Sequence, residues 1–179
     1  LNQPLVFDAL DFGSAEGDPD RIVTQILDHD ELSIIGERTT ETFRQIGGTG
    51  FPLQIIQGAY TEKGAASKYG AVKFDSTYMF IGGGVNEQSS IWRQTSSASA
   101  TKISTDAIDY EIQKFTKAEI AQAFAMTYSA NGQIFALFTF KSTTIPSKTF
   151  VFNGTASALG GGLVWFELQS GVTDSAWRV

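Results

Sequence analysis

The feature that most limits the fold of this chain is a strand–turn–strand pattern that recurs three times. An apolar run enters a short polar turn and leaves it as a second apolar run, at residues 26–36, 72–82 and 126–138. The first two copies align without gaps, and the third turns at Asn131-Gly132, a dipeptide that strongly favours a β-hairpin. Such repetition is typical of folds that stack one supersecondary unit several times.

Each hairpin is followed by two more β-prone runs. The third runs of the units lie at 41–46, 90–95 and 148–153, and the fourth runs at 52–57, 100–104 and 163–169. Four short antiparallel strands in about 40–55 residues are typical of a propeller blade. We therefore predict a mainly β fold, a partial β-propeller of about three four-stranded antiparallel blades. A β-sandwich or another meander is the alternative.

One segment departs from the β pattern. Ile108, Ile112 and Phe115 recur at the spacing of one helix face, and Thr116 to Glu119 has the form of a capping box. We predict a short helical insertion at about residues 106–122.

These patterns predict one propeller-like domain over residues 1–179, with blade units at about 21–57, 66–104 and 123–169. Residues 12–20 are expected to form a turn or linker, and 82–89, 96–99 and 155–162 polar loops. The chain starts at Leu1 rather than Met and stops soon after an aromatic-rich run, so we expect it to be part of a longer protein.

Composition excludes several functional classes. The net charge of −6 and the scattered 13 basic residues argue against a protein whose main task is to bind phosphate backbones. The lack of cysteine excludes disulfides, thiolate nucleophiles and cysteine metal sites. No stretch approaches the roughly 20 apolar residues of a spanning helix, so no membrane contact is expected.

The candidate chemical groups are few. His29 is the single histidine, so two-histidine metal sites are excluded. With Asp28, Asp30 and Glu31 it could form a lone base or a cation site, but Asp is common in hairpin turns, which we favour here. The carboxylates that could act as a glycosidase pair are Asp18, Asp20, Glu37 and Glu41, and nothing in their spacing selects two of them.

Other motifs are better explained by structure. The glycine triplets that begin at Gly82 and Gly160 lack the Lys-Ser/Thr of a phosphate loop and are predicted to be loop tips. Asn153-Gly154-Thr155 matches a glycosylation acceptor, a tripeptide that is frequent by chance. Four aromatic residues could stack on sugars or bases but are predicted to pack in the core or between blades: Trp92, Trp165, Phe166 and Trp177. We predict no catalytic, cofactor-binding or metal site and no enzymatic activity.

A series of loose motifs runs in order along nearly the whole chain. Thr39-Thr40-Glu41-Thr42-Phe43 fits a "(S/T)-T-x-E-x-F" strand that leads to a glycine loop at Gly47-Gly48. Further matches are Glu62-Lys63-Gly64-Ala65, Tyr69, Asp75-Ser76, Tyr78 to Ile81, the run 100–115, and Trp165 to Gly171 with Asp174, Trp177 and Arg178. In these positions the chain resembles the tail hub, or nozzle, proteins of P22-like short-tailed bacteriophages, also called packaged-DNA stabilisation proteins or tail accessory factors.

The resemblance implies a structural role in the virion. It implies a hexameric ring, made in the host cytoplasm, that joins the portal adaptor to tailspikes and the tail needle. The ring would retain packaged DNA, touch the DNA transiently and form part of the ejection conduit. No catalytic residue is implied. Two other classes stay open: a carbohydrate-binding or carbohydrate-active propeller, and a cellular protein-interaction propeller. The "S-x-D-x-G-x-T-W" box of the former and the Gly-His and Trp-Asp marks of the latter are absent.

Overall fold

The computed structural model describes residues 18–47, 51–171 and 175–177. Most of the predicted turn or linker at 12–20 lies outside these ranges. Gly48, Asp174 and Arg178 also lie outside them. The elements, in chain order, are β1 (Ile22–Asp28), β2 (Glu31–Gly36), β3 (Thr40–Gln45), β4 (Leu53–Thr61), β5 (Gly64–Ala65), β6 (Ala71–Phe74), β7 (Thr77–Gly83), β8 (Ser90–Ser96), β9 (Ser99–Lys102), α1 (Asp106–Ile112), α2 (Lys117–Ile120), β10 (Phe124–Ala130), β11 (Gln133–Phe140), β12 (Lys148–Asn153), α3 (Gly154–Gly160) and β13 (Trp165–Leu168).

The strands form three antiparallel sheets that follow one another along the chain. The first has the order β1-β2-β3-β4 and the third the order β10-β11-β12-β13. In the second, β5 and β6 both pair with β7, which is followed by β8 and β9. In the second sheet, β6 contacts both β1 of the first sheet and β10 of the third, and Tyr69 forms a parallel bridge to Phe124. The predicted division of the domain into blade units stays a prediction.

The first hairpin of each sheet closes on a two-residue turn. The first turn residue has a positive φ in every case: 53° at His29, 56° at Asp75 and 51° at Asn131. Such backbone geometry matches the right-handed twist of paired strands, and Asn and Asp tolerate it better than most residues. The turn predicted at Asn131-Gly132 is confirmed.

The main apolar core lies between the second and third sheets. Alternate residues of a strand point to opposite faces, so Met79 and Ile81 of β7 face the third sheet whereas Tyr78 and Phe80 face the first. The third sheet contributes four phenylalanines to the same core: Phe138, Phe140, Phe150 and Phe152.

The two helices between the second and third sheets cover one side of this core. Ile108, Ile112, Phe115 and Ile120 are all buried in it, which confirms the predicted apolar helix face. Thr105 caps α1 by accepting from the Ile108 N–H. Thr116 and Glu119 form the predicted capping box of α2, with the Thr116 N–H donating to Glu119 Oε2 at 2.8 Å. Hydrogen bonds between capping side chains and backbone N–H groups of the first turn therefore fix where both helices begin.

The capping box also makes stability depend on pH. Hydrogen bonds from the Ser142 hydroxyl, and then from the Thr116 backbone and side chain, hold the pKa of Glu119 below its ordinary value. A lowered folded-state pKa contributes stability that is present above the ordinary pKa and is lost as pH falls through the lowered one. We expect Glu119→Gln to lower the free energy of unfolding at neutral pH, and the difference from the wild type to vanish in acid.

Urea denaturation across the acid range measures this effect. Glu111→Gln removes only an exposed ion pair to Lys114 and is the matched control, with little expected change. A Glu119→Gln difference that persists unchanged in acid would contradict the prediction.

One predicted loop is a helix. Residues 155–162 were expected to be polar loop, but Gly154–Gly160 forms α3. Asn153 Oδ1 caps it by accepting from the Ala156 N–H at 2.9 Å, and Gly161, with φ 67°, ends it in the left-handed conformation. The glycines of this segment suggested a loop, so the helix start at Asn153 and the helix end at Gly161 were not predicted. Asn153 is only 8% exposed, so the glycosylation-like tripeptide serves as a helix start here.

Candidate functional site

His29 lies in the tip of the first hairpin. Its side chain is 73% exposed, and Nδ1 is 3.1 Å from Asp28 Oδ1. In the described ranges, no three His, Asp or Glu side chains gather into a group that could hold a metal ion. The positive φ of His29 and its exposure are those of a turn residue, as the sequence favoured.

The candidate carboxylates lie around the entry to the first sheet. Asp20 Oδ2 accepts from the backbone N–H of Arg38 at 2.7 Å and of Thr39 at 3.1 Å. Asp18 Oδ2 is 3.6 Å from the Arg38 guanidinium. Glu41 is buried in β3 and 2% exposed. Burial raises the pKa of Tyr60, and the charges of Asp18, Glu62, Asp20 and Glu41 raise it further. Asp20 therefore stabilises the loop between β2 and β3, which contains Arg38 and Thr39.

Removing this support has a measurable consequence. Asp20→Ala leaves two backbone N–H groups without their carboxylate acceptor, and we expect it to lower the free energy of unfolding by about 1–3 kcal/mol. Asp30→Ala, in the exposed turn of the first hairpin, is the control and should change it by less than about 0.5 kcal/mol. Equal effects of the two substitutions in urea denaturation would show that Asp20 has no special role.

The predicted packing of the tryptophans is confirmed for two of them. The Nε1–H of Trp92 donates to Gly82 O at 2.9 Å, and its ring packs between the first and second sheets. The Nε1–H of Trp165 donates to Ile103 O at 2.8 Å and so joins the third sheet to the segment before α1. Trp177 is half-buried, and its backbone N–H donates to Thr149 Oγ1 at 3.2 Å. Trp92 and Trp165 each pack their ring and satisfy their indole N–H, as buried indoles do.

Phe166 does not follow the prediction. It is 40% exposed on the face of the third sheet that points away from the second. Its ring meets Phe135 edge-on at 6.2 Å, and Phe135 stacks on Tyr128 at 4.9 Å. This row was not evident from the sequence because its three members lie on three different strands. Period-two alternation within β11 was the one signal for it.

The glycines that were predicted to be loop tips differ from one another. Gly82 and Gly83 belong to β7, so the loop prediction is wrong for them. A Cβ at Gly82 would lie 1.8 Å from Gly64 O, which shows that two backbone segments touch here. Gly160 ends α3 and has open space around it. Neither triplet has the structure of a phosphate-binding loop, in which a glycine turn opens a helix after a strand.

One known family matches the chain along its whole length. The family model described as "Bacteriophage P22 Gp10, beta-propeller" covers residues 1–179. The chain belongs to this family. The resemblance predicted from the sequence motifs is thereby confirmed, together with the mainly β propeller fold, in which the described residues form three antiparallel sheets. No curated protein matches the chain.

Membership in the P22 Gp10 family assigns a general role. These are phage tail stabilisation proteins, so the chain is a bacteriophage structural protein that belongs to the virion and acts with other phage structural proteins. None of the helices within the described residues is long and apolar enough to cross a membrane. The partly exposed aromatic row of Tyr128, Phe135 and Phe166 is a candidate contact surface in this chain, because aromatic side chains are enriched in protein interfaces.

Proposed function

We propose that the protein is the tail hub, or nozzle, that joins the portal adaptor to the tailspikes and the tail needle. The observation that carries this proposal is the match of the whole chain to the P22 Gp10 family. The fold supports it, because three antiparallel sheets follow one another along the chain and the second and third enclose an apolar core rich in phenylalanine. Packed sheets that present turns at their ends suit a component that holds several partners at fixed positions.

We further propose that six copies form a ring that closes the channel after packaging and later forms part of the ejection conduit. The net charge of −6 supports transient rather than tight contact with DNA. A duplex is held by clustered Lys and Arg that displace its counterions, so an acidic wall would let it pass. The protein would be made in the host cytoplasm and then incorporated into the virion.

We propose that the protein has no enzymatic activity. The structural roles of the candidate chemical groups support this proposal. His29 occupies an exposed hairpin turn, and Asp20 binds two backbone N–H groups. General acid–base catalysis would require such side chains to converge on a substrate instead.

An assembly experiment tests the hub proposal. Full-length protein is added to genome-filled particles that stop at the adaptor stage, and the particles are imaged by electron microscopy while released DNA is measured. We expect a new six-fold ring below the adaptor and slower DNA leakage. Heat-denatured protein is the control. Absence of new density with unchanged leakage would refute the proposal.

A further inference from the structure

The last strand of the first sheet, β4, has an open backbone edge. Within the described ranges it pairs with β3 alone. The Ile46 N–H donates to Pro52 O at 2.9 Å, and hydrogen-bonded pairs recur at every second residue of an antiparallel ladder. Phe43 and Ile55 are therefore a non-hydrogen-bonded pair, as is the pair that contains Leu53. Leu53 and Ile55 thus turn their N–H and C=O groups away from β3 and toward the open edge.

This edge lacks the features that usually protect an outer strand. β4 has nine residues and no charged side chain, and Ile55 is 38% exposed. The last strands of the other two sheets have four residues each and carry Lys102 and Glu167. Short length and charged side chains keep sheet edges from pairing with another chain. Since β4 has neither, it can accept a further strand.

An apolar row on the outer face of the first sheet ends at this edge. Ile35 packs with Phe80 of the second sheet, so the alternation along β2 turns Leu32 to the opposite, outer face. One cross-strand row on that face is apolar on all four strands: Leu27, Leu32, Phe43 and Ile55. A strand added to β4 extends this row if it places an apolar side chain directly opposite Ile55.

We propose that β4 pairs antiparallel with β4 of a second copy of this chain, about a two-fold axis at Ile55. The register with β3 shifts between Ile55 and Tyr60, and Gly58 has a φ of 78°, so 53–57 is the stretch free to form a regular ladder. Ile55 is its midpoint. A second copy presents Ile55 opposite Ile55 by symmetry and places Leu53 opposite Gln57, with no like charges opposed.

The pairing goes beyond the proposed function. A closed ring of six copies is built from head-to-tail contacts, whereas this contact is two-fold, as in most protein dimers. The pair is therefore a state of the free protein, before it joins the virion. Its test involves no tail particle, so its failure is distinguishable from failure of the hub assembly experiment.

Analytical ultracentrifugation of the full chain, over a wide range of concentration, tests the pairing. We expect a reversible equilibrium between one chain and two. Ile55→Lys sets two ammonium groups opposite each other and should weaken the association roughly tenfold or more, because like charges directly opposite destabilise paired strands. Gln25→Lys, at an exposed position on β1, is the matched control and should leave the association unchanged. Thermal melts check that both variants are folded.

Disulfide trapping tests the register, since the chain contains no cysteine of its own. Cα atoms of a hydrogen-bonded pair lie about 5.5 Å apart, within disulfide range, so Ile55→Cys should oxidise to a covalent dimer. Leu53→Cys is the control. It would be offset from its own copy by about four residues, or roughly 13 Å along the strand, and should link only when mixed with Gln57→Cys.

Three results would overturn the proposal. The first is a wild-type chain that stays monomeric at every concentration or forms only irreversible aggregates. The second is an Ile55→Lys protein that associates as tightly as the wild type. The third is a Leu53→Cys protein that forms a disulfide with its own copy as readily as Ile55→Cys does.

Discussion

Gly82→Ala is expected to cause the largest loss of stability of any single methyl addition in the described chain. A Cβ at this position would lie 1.8 Å from Gly64 O, 2.8 Å from Gly64 C and 2.9 Å from the Cα of Ala65. All three neighbours are backbone atoms of β5, which pairs with β7 at this point, so no side chain can rotate away. We expect a loss of more than about 4 kcal/mol, the range reserved for severe core disruption.

The same substitution at Gly160 is the control. Nothing lies within 4 Å of a Cβ there, and the residue ends α3. Alanine is favoured over glycine in helices, so Gly160→Ala should be neutral or stabilise by up to about 1 kcal/mol. Urea denaturation and thermal melts of both variants measure the contrast. A Gly82→Ala protein as stable as the wild type would mean that β5 does not pack against β7 as described.

Phe152→Ala is expected to destabilise the protein by about 3–5 kcal/mol, the usual range for removing a buried phenylalanine. Phe152 is 3% exposed and lies in the core between the second and third sheets. Its ring is 5.7 Å from that of Phe74 in the second sheet and 5.1 Å from that of Trp165 in the third. The substitution would leave a cavity at the interface that holds two blades together.

Phe166→Ala removes the same atoms from the other face of the third sheet, at a partly exposed position. Phe166 is 40% exposed and makes one edge-on ring contact, so we expect a loss of about 1 kcal/mol. Urea denaturation of Phe152→Ala and Phe166→Ala gives the difference in their free energies of unfolding, from the two midpoints and a common dependence of that free energy on denaturant concentration. Equal losses would show that the core does not lie between the second and third sheets.

The local elements of the fold were predictable from the sequence. Asn131-Gly132 marks a hairpin because few other dipeptides adopt its backbone angles at low cost. Thr116 and Glu119 mark a helix start because their side chains bond to backbone groups within one turn. Such signals involve residues close in the chain, so they survive in any tertiary setting. The strand–turn–strand repeat likewise indicated three separate sheets.

The contacts between sheets were not predictable in the same way. Nothing near Gly82 in the chain indicates that Gly64 O will lie against it, and its triplet resembles an ordinary loop. Phe166 was expected to be buried like Trp165, its neighbour in the chain. The cleft between the first and second sheets is lined by Gln94 from one sheet and by Asp28 and Glu31 from the other.

The sequence by itself therefore determined the type and order of the elements and, through its motifs, the family of phage tail proteins. Only the tertiary structure decided which face of each sheet is buried, where backbones touch and which polar groups line a cleft. The physical reason is the separation along the chain of the residues that interact. Turn geometry and capping depend on hydrogen bonds within a few residues, whereas burial and packing depend on atoms that are far apart in the chain and meet only when the sheets pack.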